Sequence, residues 1–552
     1  GKVIIRFRDT DGDPKELAKR LIREVTLRAL TDAPGLDVTG VFIEASSGPV
    51  DPADLKRLDR EFSEYSLNRR PAAARFPQFP FLERGSESAL PASASLGDLE
   101  FSQESLQPNN FDESSPLSLP SRVKRAFAST SRKRQVDDVK ERLAKQGKEL
   151  KQEPEFDPTK LAAAFQDGEE SEDAKNMLSS VGVVHIDGNG VGAIMRDLGS
   201  AHNRTQETGV CVSADEVHTD SDDALQTFIM VVNKRLDQAV KDAIALSWYD
   251  VQKLTPDTVV PIVPVLVGGD DVTVYTDGRY AIPFAEAYIR HYEELTEKDE
   301  LLKQLAVVAG AKKAGPLTAS AGAAIVGRNF PFHITYDLAE ELVSRGKELG
   351  KYPGTVPCST INFHVLRDAT VLYPDDTLDE YKGRTQRPFL IGHYALERIG
   401  DATTTSSEEA PTAELQPLPS WERILRAVAA FDGKKPDDPT QTTGDPFPRA
   451  RANRIVKLLA EGDAEKAATE WDDALQNAPS AGLLAKQLKL LPPHSSSSDE
   501  AHESLKQIKW LLDLIDLSEN LPDGYLASRI GENADGDDSP EAADHPTKGG
   551  AK

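Results

Sequence analysis

Two short stretches hold the residues best suited to metal and phosphate chemistry. The first is Val183-Val184-His185-Ile186-Asp187-Gly188-Asn189-Gly190, a mostly apolar run ending in a carboxylate and a glycine-rich loop. The second is Val265-Leu266-Val267-Gly268-Gly269-Asp270-Asp271-Val272-Thr273-Val274-Tyr275, two apolar runs around a Gly-Gly-Asp-Asp turn. Glycine adopts positive φ at little cost, so this turn predicts a tight hairpin with Asp270 and Asp271 at its tip. Asp187 closes a strand that would otherwise be apolar, and an unpaired carboxylate there is costly to bury, so it should face a cation or solvent. Hard oxygen donors suit two Mg²⁺ or Mn²⁺ ions that share their remaining positions with substrate phosphates. Asp187, Asp270 and Asp271 are therefore the expected catalytic and metal-binding residues. Gly188, Asn189, Gly190, Gly268 and Gly269 form backbone able to approach a nucleoside triphosphate without an intervening Cβ.

A competing pattern occupies the same loop. Gly188, Gly190 and Ala193 fit a dinucleotide fingerprint after a strand, with Asp215 about 20 residues on. Against it, Gly199 soon interrupts the helix that would carry the pyrophosphate, and the strand before Asp215 (Val210-Cys211-Val212) is very short.

The order strand–Asp187–glycine loop, long helix, Gly-Gly-Asp-Asp hairpin, helix, strand, helix resembles a nucleotidyl-cyclase palm. It looks most like the second palm of the large subunit of type III CRISPR effector complexes and is more distantly similar to GGDEF diguanylate cyclases. Further matches follow in Ser320-Ala321-Gly322-Ala323-Ala324-Ile325, Phe330-Pro331-Phe332, Asp337-Leu338-Ala339-Glu340-Glu341-Leu342 with Gly346-Lys347, and Ser359-Thr360-Ile361-Asn362-Phe363-His364-Val365. The resemblance covers about residues 181–367. It implies a ferredoxin-like α+β palm that makes cyclic oligoadenylates from ATP as second messengers in antiviral defence. Carried over, Asp187, Asp270 and Asp271 hold the metals, Ser320 joins the nucleotide-binding residues, and Lys347 contacts the triphosphate.

The elements needed to position these residues are legible without the family. Ser221 can cap a long helix in which Leu225, Phe228, Ile229, Val232, Leu236 and Val240 recur at helical spacing, a core stripe. Pro283 suits the first turn of the helix after the hairpin. Residues 319–326 read as a small-residue strand, and Thr335 as the opening of a helix carrying Leu338, Ala339, Leu342 and Leu349. Taken alone, Lys347 near that helix's end is a solvated lysine complementing the helix dipole, worth roughly 0.3–1 kcal/mol.

At 552 residues the chain should hold roughly two to four domains. A net charge of −26 argues against broad nonspecific nucleic-acid binding. Two cysteines, Cys211 and Cys358, exclude a disulfide framework and a four-cysteine zinc site. No apolar stretch approaches the ~20 residues of a membrane span, no signal peptide is visible, and a cytoplasmic location is the default expectation. The abrupt start Gly1-Lys2-Val3 suggests a missing leader or a tag remnant.

Residues 1–67 read as alternating strand and helix: Val3 to Phe7, then Leu17, Leu21, Ile22 and Val25 on a helix, then residues 38–43. This is the expected divergent, non-catalytic palm-like α/β domain. Asp9, Asp11 and Asp13 invite a calcium-loop reading that fails, because the sixth position lacks glycine and the twelfth is Arg20. Residues 68–180 read as an irregular insert ending in a basic helix. Arg122, Lys124, Arg125, Arg132, Lys133, Arg134, Lys140, Arg142 and Lys145 make residues 122–151 the one candidate RNA contact, although a solvated helix with neighbouring Asp137, Asp138 and Glu141 explains it more simply. Residues 181–370 are the expected catalytic palm. Residues 371–530 read as a helical domain with segments at 421–430, 452–459, 464–475 and 505–517. Residues 531–552 read as a disordered acidic tail.

Departures from the CRISPR subunit are clear: no His-Asp pair marks a nuclease domain, the cysteine-rich module between the palms is absent, and the chain is short. A stand-alone or reduced relative is expected, with a homodimer or a defence-complex partner completing it. Two other classes remain in view. One is a nucleotide-binding sensor or scaffold without turnover. The other is a dinucleotide-dependent enzyme.

Overall fold

The computed structural model describes residues 3–7, 12–46, 48–49, 51–68, 79–94, 96, 115–150, 180–210, 212–217, 223–254, 262–350, 357–367, 373–394, 420–477, 479–491 and 503–532. Six strands form one mixed sheet: β1 Ser180–Gly188, β2 Ile262–Gly268, β3 Asp271–Asp277, β4 Ala319–Gly327, β5 Ser359–Val365 and β6 Phe389–Ile391. Their spatial order is β2-β3-β1-β4-β5-β6, with β4 and β5 parallel and every other neighbouring pair antiparallel. The chain is thus a mixed α/β structure, as its alternating patterns predict.

The helices around the sheet are α1 Pro14–Asp32, α2 Pro52–Asn68, α3 Leu119–Lys145, α4 Val191–Arg196, α5 Leu198–Glu207, α6 Ala224–Leu254, α7 Gly278–Lys298, α8 Glu300–Val308 and α9 Phe332–Gly350. Strand alternation assigns each face a partner. Val184, Ile186, Val272, Val274, Ala321, Ala323 and Ile325 pack with Phe228, Val232, Tyr280, Phe284 and Tyr288 of α6 and α7. Val183 and Ala324 face Leu338, Ala339 and Leu342 of α9. Close approach demands glycine on both faces. A Cβ at Gly182 would stand 2.6 Å from the Ala281 Cβ, and one at Gly322 would stand 2.3 Å from the Ala339 carbonyl oxygen.

Three helix starts differ from expectation. The side chain of Asp223 accepts from Gln226 N at the start of α6, while Ser221 lies outside the described residues. Asp277 caps α7 by accepting from Arg279 N, so Pro283 falls inside the helix, beyond its first turn. Helix α9 begins at Phe332, because the Thr335 hydroxyl donates back to the Pro331 carbonyl and caps nothing.

The expected N-terminal strands are not strands. Among the described residues, 3–7 and 38–46 form no strand, and none of them joins the six-stranded sheet. A hydrophobic run makes a strand only where a neighbour completes the ladder. Val3, Ile4, Ile5, Leu36 and Phe42 remain exposed.

Helix α3 packs its C-terminal half against α6 through Val136, Val139 and Leu143. Several of its cations already have partners: Arg142 bonds Asp138 and Asp242, Lys145 pairs with Glu141, Arg125 with Glu87, and Arg122 donates to the Ser115 carbonyl. Exposed Lys124, Lys133 and Arg134 remain the basic face, and Lys151 lies outside the described residues.

Beyond residue 370 the sheet continues, because β6 is its edge strand. Helices Trp421–Phe431, Arg449–Ala460, Ala464–Asn477 and Pro479–Leu488 follow, then Glu503–Ile508, Leu511–Asn520 and Tyr525–Glu532. The segment expected as one helix over 505–517 is broken at Trp510, which is fully buried. Phe389 packs between Phe363, Trp421 and Trp510 at ring distances of 6.2, 5.7 and 6.2 Å, so this helical unit shares the core of the sheet. Of the expected tail, residues 533–552 lie outside the described residues. Among the described residues no helix is long and apolar enough to cross a membrane.

Candidate metal centre

The three carboxylates meet at one end of the central strands. Asp187 sits near the end of β1, opposite Ser320 of β4, and its side chain shares the α9 face with Val183 and His185. The β2–β3 hairpin closes with the pair Gly268–Asp271, leaving Gly269 and Asp270 as a two-residue turn, and Gly269 adopts φ +64°. One carboxylate oxygen from each of Asp187, Asp270 and Asp271 lies within 4.8 Å of the others, and all three residues are half-buried. Gly188 permits this convergence, since a Cβ there would meet the Asp270 Cβ at 2.9 Å.

Electrostatics follow from the crowding. Burial raises the Asp270 carboxyl above the usual carboxylate range; Asp271 and Asp187 push it further, and Lys347 opposes them. Burial likewise raises Asp271, with Asp187 and Glu340 adding to it and Lys347 opposing. Lys347, in the last turn of α9, forms an ion pair with Asp187. That turn is held by close packing, since a Cβ at Gly346 would stand 2.6 Å from Thr360 Oγ1. Beneath the site, α7 presents the stacked pair Tyr288 and Tyr292. The fully buried Tyr292 hydroxyl has no hydrogen-bond partner among the described residues, and burial together with Asp270 and Asp187 raises its pKa.

These features fit a divalent cation. The donors are hard oxygens, glycine makes room for one of them, and a buried hydroxyl without a partner lies within electrostatic reach of two. Asp187, Asp270 and Asp271 are the residues that could hold a metal ion here.

Two of the residues expected to bind nucleotide, Asn189 and Ser320, have buried side chains. Asn189 is buried: its backbone N–H donates to the Thr318 carbonyl, its side-chain amide to Thr318 Oγ1 and the Cys358 carbonyl, and its Oδ1 accepts from Ser320 Oγ. Ser320 is fully buried and also accepts from Thr360 Oγ1. Both stitch the loop after β1 to β4 and β5, because a buried polar side chain must find partners inside. Gly190 adopts φ +79° at the start of α4 and lies where a Cβ would clash with Ala309. Gly268 and Gly269 have open space around the position of a Cβ.

Behind this layer, fully buried Glu293 of α7 accepts from Ser359 Oγ at 2.5 Å and from His393 N at 2.7 Å. Burial raises its pKa to about 7. Sequence patterning missed Glu293 and Tyr292, which sit in an apolar helix; the recurrence of Tyr288, Tyr292 and Glu293 on that stripe is the one local signal of them.

The dinucleotide pattern fails on geometry. Helix α4 spans only Val191–Arg196, too short to carry a pyrophosphate at its start, and Asp215 lies in a short 3₁₀ turn, Ala214–Val217, rather than at a strand end. Cys211 lies outside the described residues.

No family model and no curated protein matches the chain. Solved structures similar to it include the crystal structure of a Csm1-Csm4 cassette in complex with cA4, with a TM-score of 0.27 and 11% identity over 66% of this chain and 40% of that one. A second is the cryo-EM structure of type III-B Cmr-beta in the apo state, with a TM-score of 0.29 and 11% identity over 84% of this chain and 60% of that one. The chain therefore spans about half the length of the structures it matches.

Proposed function

We propose that this protein is a metal-dependent nucleotidyltransferase that converts ATP into a cyclic nucleotide or oligonucleotide, acting as a second-messenger synthase in antiviral defence. The observation that carries the reading is the convergence of Asp187, Asp270 and Asp271 within 4.8 Å at the tip of a glycine hairpin, beside Lys347. The motif resemblance over 181–367 to the type III CRISPR palm supports the same chemistry. Residues 181–370 are the catalytic unit of this proposal, with residues 1–67 and 371–530 as accessory parts.

Two divalent cations, when bound, would lower the pKa of an attacking hydroxyl and stabilise the leaving pyrophosphate. The protein's own residues do the rest. Asp270, in the two-residue turn, and Asp271, at the start of β3, hold their ligand atoms in one place without a long side chain to order. Asp187 reaches the same point from β1. Lys347 neutralises the triphosphate, and Gly188, Gly190, Gly268 and Gly269 let phosphate approach the backbone. A 3′-hydroxyl oxygen then attacks the α-phosphorus of a second nucleotide, forming one phosphoester bond while the bond to pyrophosphate breaks.

Incubation with labelled ATP and Mn²⁺ is expected to give a phosphatase-resistant product that disappears in the Asp270→Ala/Asp271→Ala double variant. Absence of product from every nucleoside triphosphate counts against the reading. Mg-ATP binding without pyrophosphate release would instead mark a nucleotide-binding scaffold.

A further inference from the structure

The ion pair between Lys347 and Asp187 bears on how the site fills. Lys347 is the cation paired within the acidic cluster, and both side chains are partly shielded, with exposures of 21% and 29%. Three carboxylates and one ammonium leave a charge of minus two, and Glu340 adds negative potential at Asp271, so a single divalent ion largely offsets the cluster. A second divalent ion at the same point would create excess positive charge until a triphosphate arrived. The geometry also separates the acids. Asp270 and Asp271 share the hairpin, whereas Asp187 comes from β1 and is the carboxylate that Lys347 contacts.

The backbone beneath Lys347 cannot follow its head group. Gly346 lies against Thr360, and at Gly350 the carbonyl accepts from Cys358 N at 3.1 Å, fixing the last turn of α9 on β5. The four-carbon stem is flexible, so its ammonium can exchange one anionic partner for another without moving the helix.

We propose that Lys347 is a resident stand-in for one of the two metal ions. Without nucleotide it holds Asp187, and the site accepts a single divalent ion on Asp270 and Asp271. Triphosphate draws the ammonium away, freeing Asp187 for the second ion, so full loading occurs only when substrate is present. This inference rests on the metal-dependent reading above and concerns the order of loading.

The test is Mn²⁺ titration of the full chain, read by electron paramagnetic resonance, with and without a non-hydrolysable ATP analogue. Wild type is expected to bind one ion alone and two with the analogue. Lys347→Met should bind two without nucleotide, or bind the first roughly two- to fivefold tighter, as expected for release of a partly exposed ion pair. Lys347→Arg, which keeps the charge, should behave as wild type and controls for folding. Adding Asp187→Asn should erase the difference between Lys347→Met and wild type. Equal stoichiometry and affinity for wild type and Lys347→Met without nucleotide would overturn the stand-in role while leaving a two-metal site standing. No Mn²⁺ bound by any variant, with or without the analogue, would overturn both.

Discussion

At the scale of single residues, the acidic cluster predicts a trade between stability and metal binding. The Asp270 and Asp271 carboxyls titrate above the usual carboxylate range because burial, reinforced by neighbouring carboxylates, disfavours their charged forms. A pKa raised by folding means stability that is complete below the unfolded value and lost as pH rises through the folded one. In EDTA, Asp271→Asn should therefore raise the melting temperature, most clearly above the carboxylate range, while abolishing the stabilisation that Mn²⁺ gives wild type; thermal unfolding with and without metal checks both. Glu293 follows the same sign over a wider window. Its stabilising contribution should decline as pH rises from about 4.5 through about 7, and Glu293→Gln should flatten that decline in denaturant titrations. The acids were legible in the sequence because the glycines beside them dictate a turn. The buried network that joins Asn189 and Ser320 was not legible, because nothing in their local pattern tells of the partners it draws from residues far along the chain.

At the scale of elements, the site depends on how closely helices and turns approach the sheet. Gly322→Ala would drive a methyl into the Ala339 carbonyl and lift α9, with Lys347, away from β1. Overpacking of this kind is expected to cost roughly 1–3 kcal/mol, measurable by urea denaturation, and to weaken triphosphate binding as well. Gly269→Ala should cost roughly 1–2 kcal/mol through its left-handed backbone alone, and hydrogen exchange across the β2–β3 hairpin should report the loosening. The central sheet and its helices could be read from periodicity, since the strands alternate or run apolar and the helices carry continuous stripes. Residues 3–7 and 38–43 carry a strand-like pattern too, yet a strand is a property of two segments, and among the described residues neither joins the six-stranded sheet.

At the scale of the whole molecule, the helical C-terminal part is bound to the sheet by a buried charge network. Arg387 lies beside the Phe363 ring, donates to Asp513 at 2.7 Å, to Asp516 at 2.6 Å and to the Phe363 carbonyl at 2.8 Å. Asp513 also accepts from Gln386 N, and Arg367 reaches Asp516. Removing one member leaves unpaired buried charge, so Arg387→Ala should cost about 3–5 kcal/mol. Because β6 and the tryptophans share one core, tryptophan fluorescence and far-ultraviolet circular dichroism should lose their signals in a single step; two separated transitions would contradict the shared core. None of this was readable locally, since Arg387 and Asp513 are more than a hundred residues apart.

The alternation of β1 carries a last consequence for tolerated sequence change. Side chains of odd number on this strand look toward α9 and those of even number toward α7. Inserting or deleting a single amino acid between Ser180 and Ile186 would swap that parity, presenting isoleucine (on insertion) or glycine (on deletion) where the acid belongs and turning the acid to the opposite face. Length variants in this segment should survive only in steps of two, so the spacing before Asp187 is itself a heritable constraint.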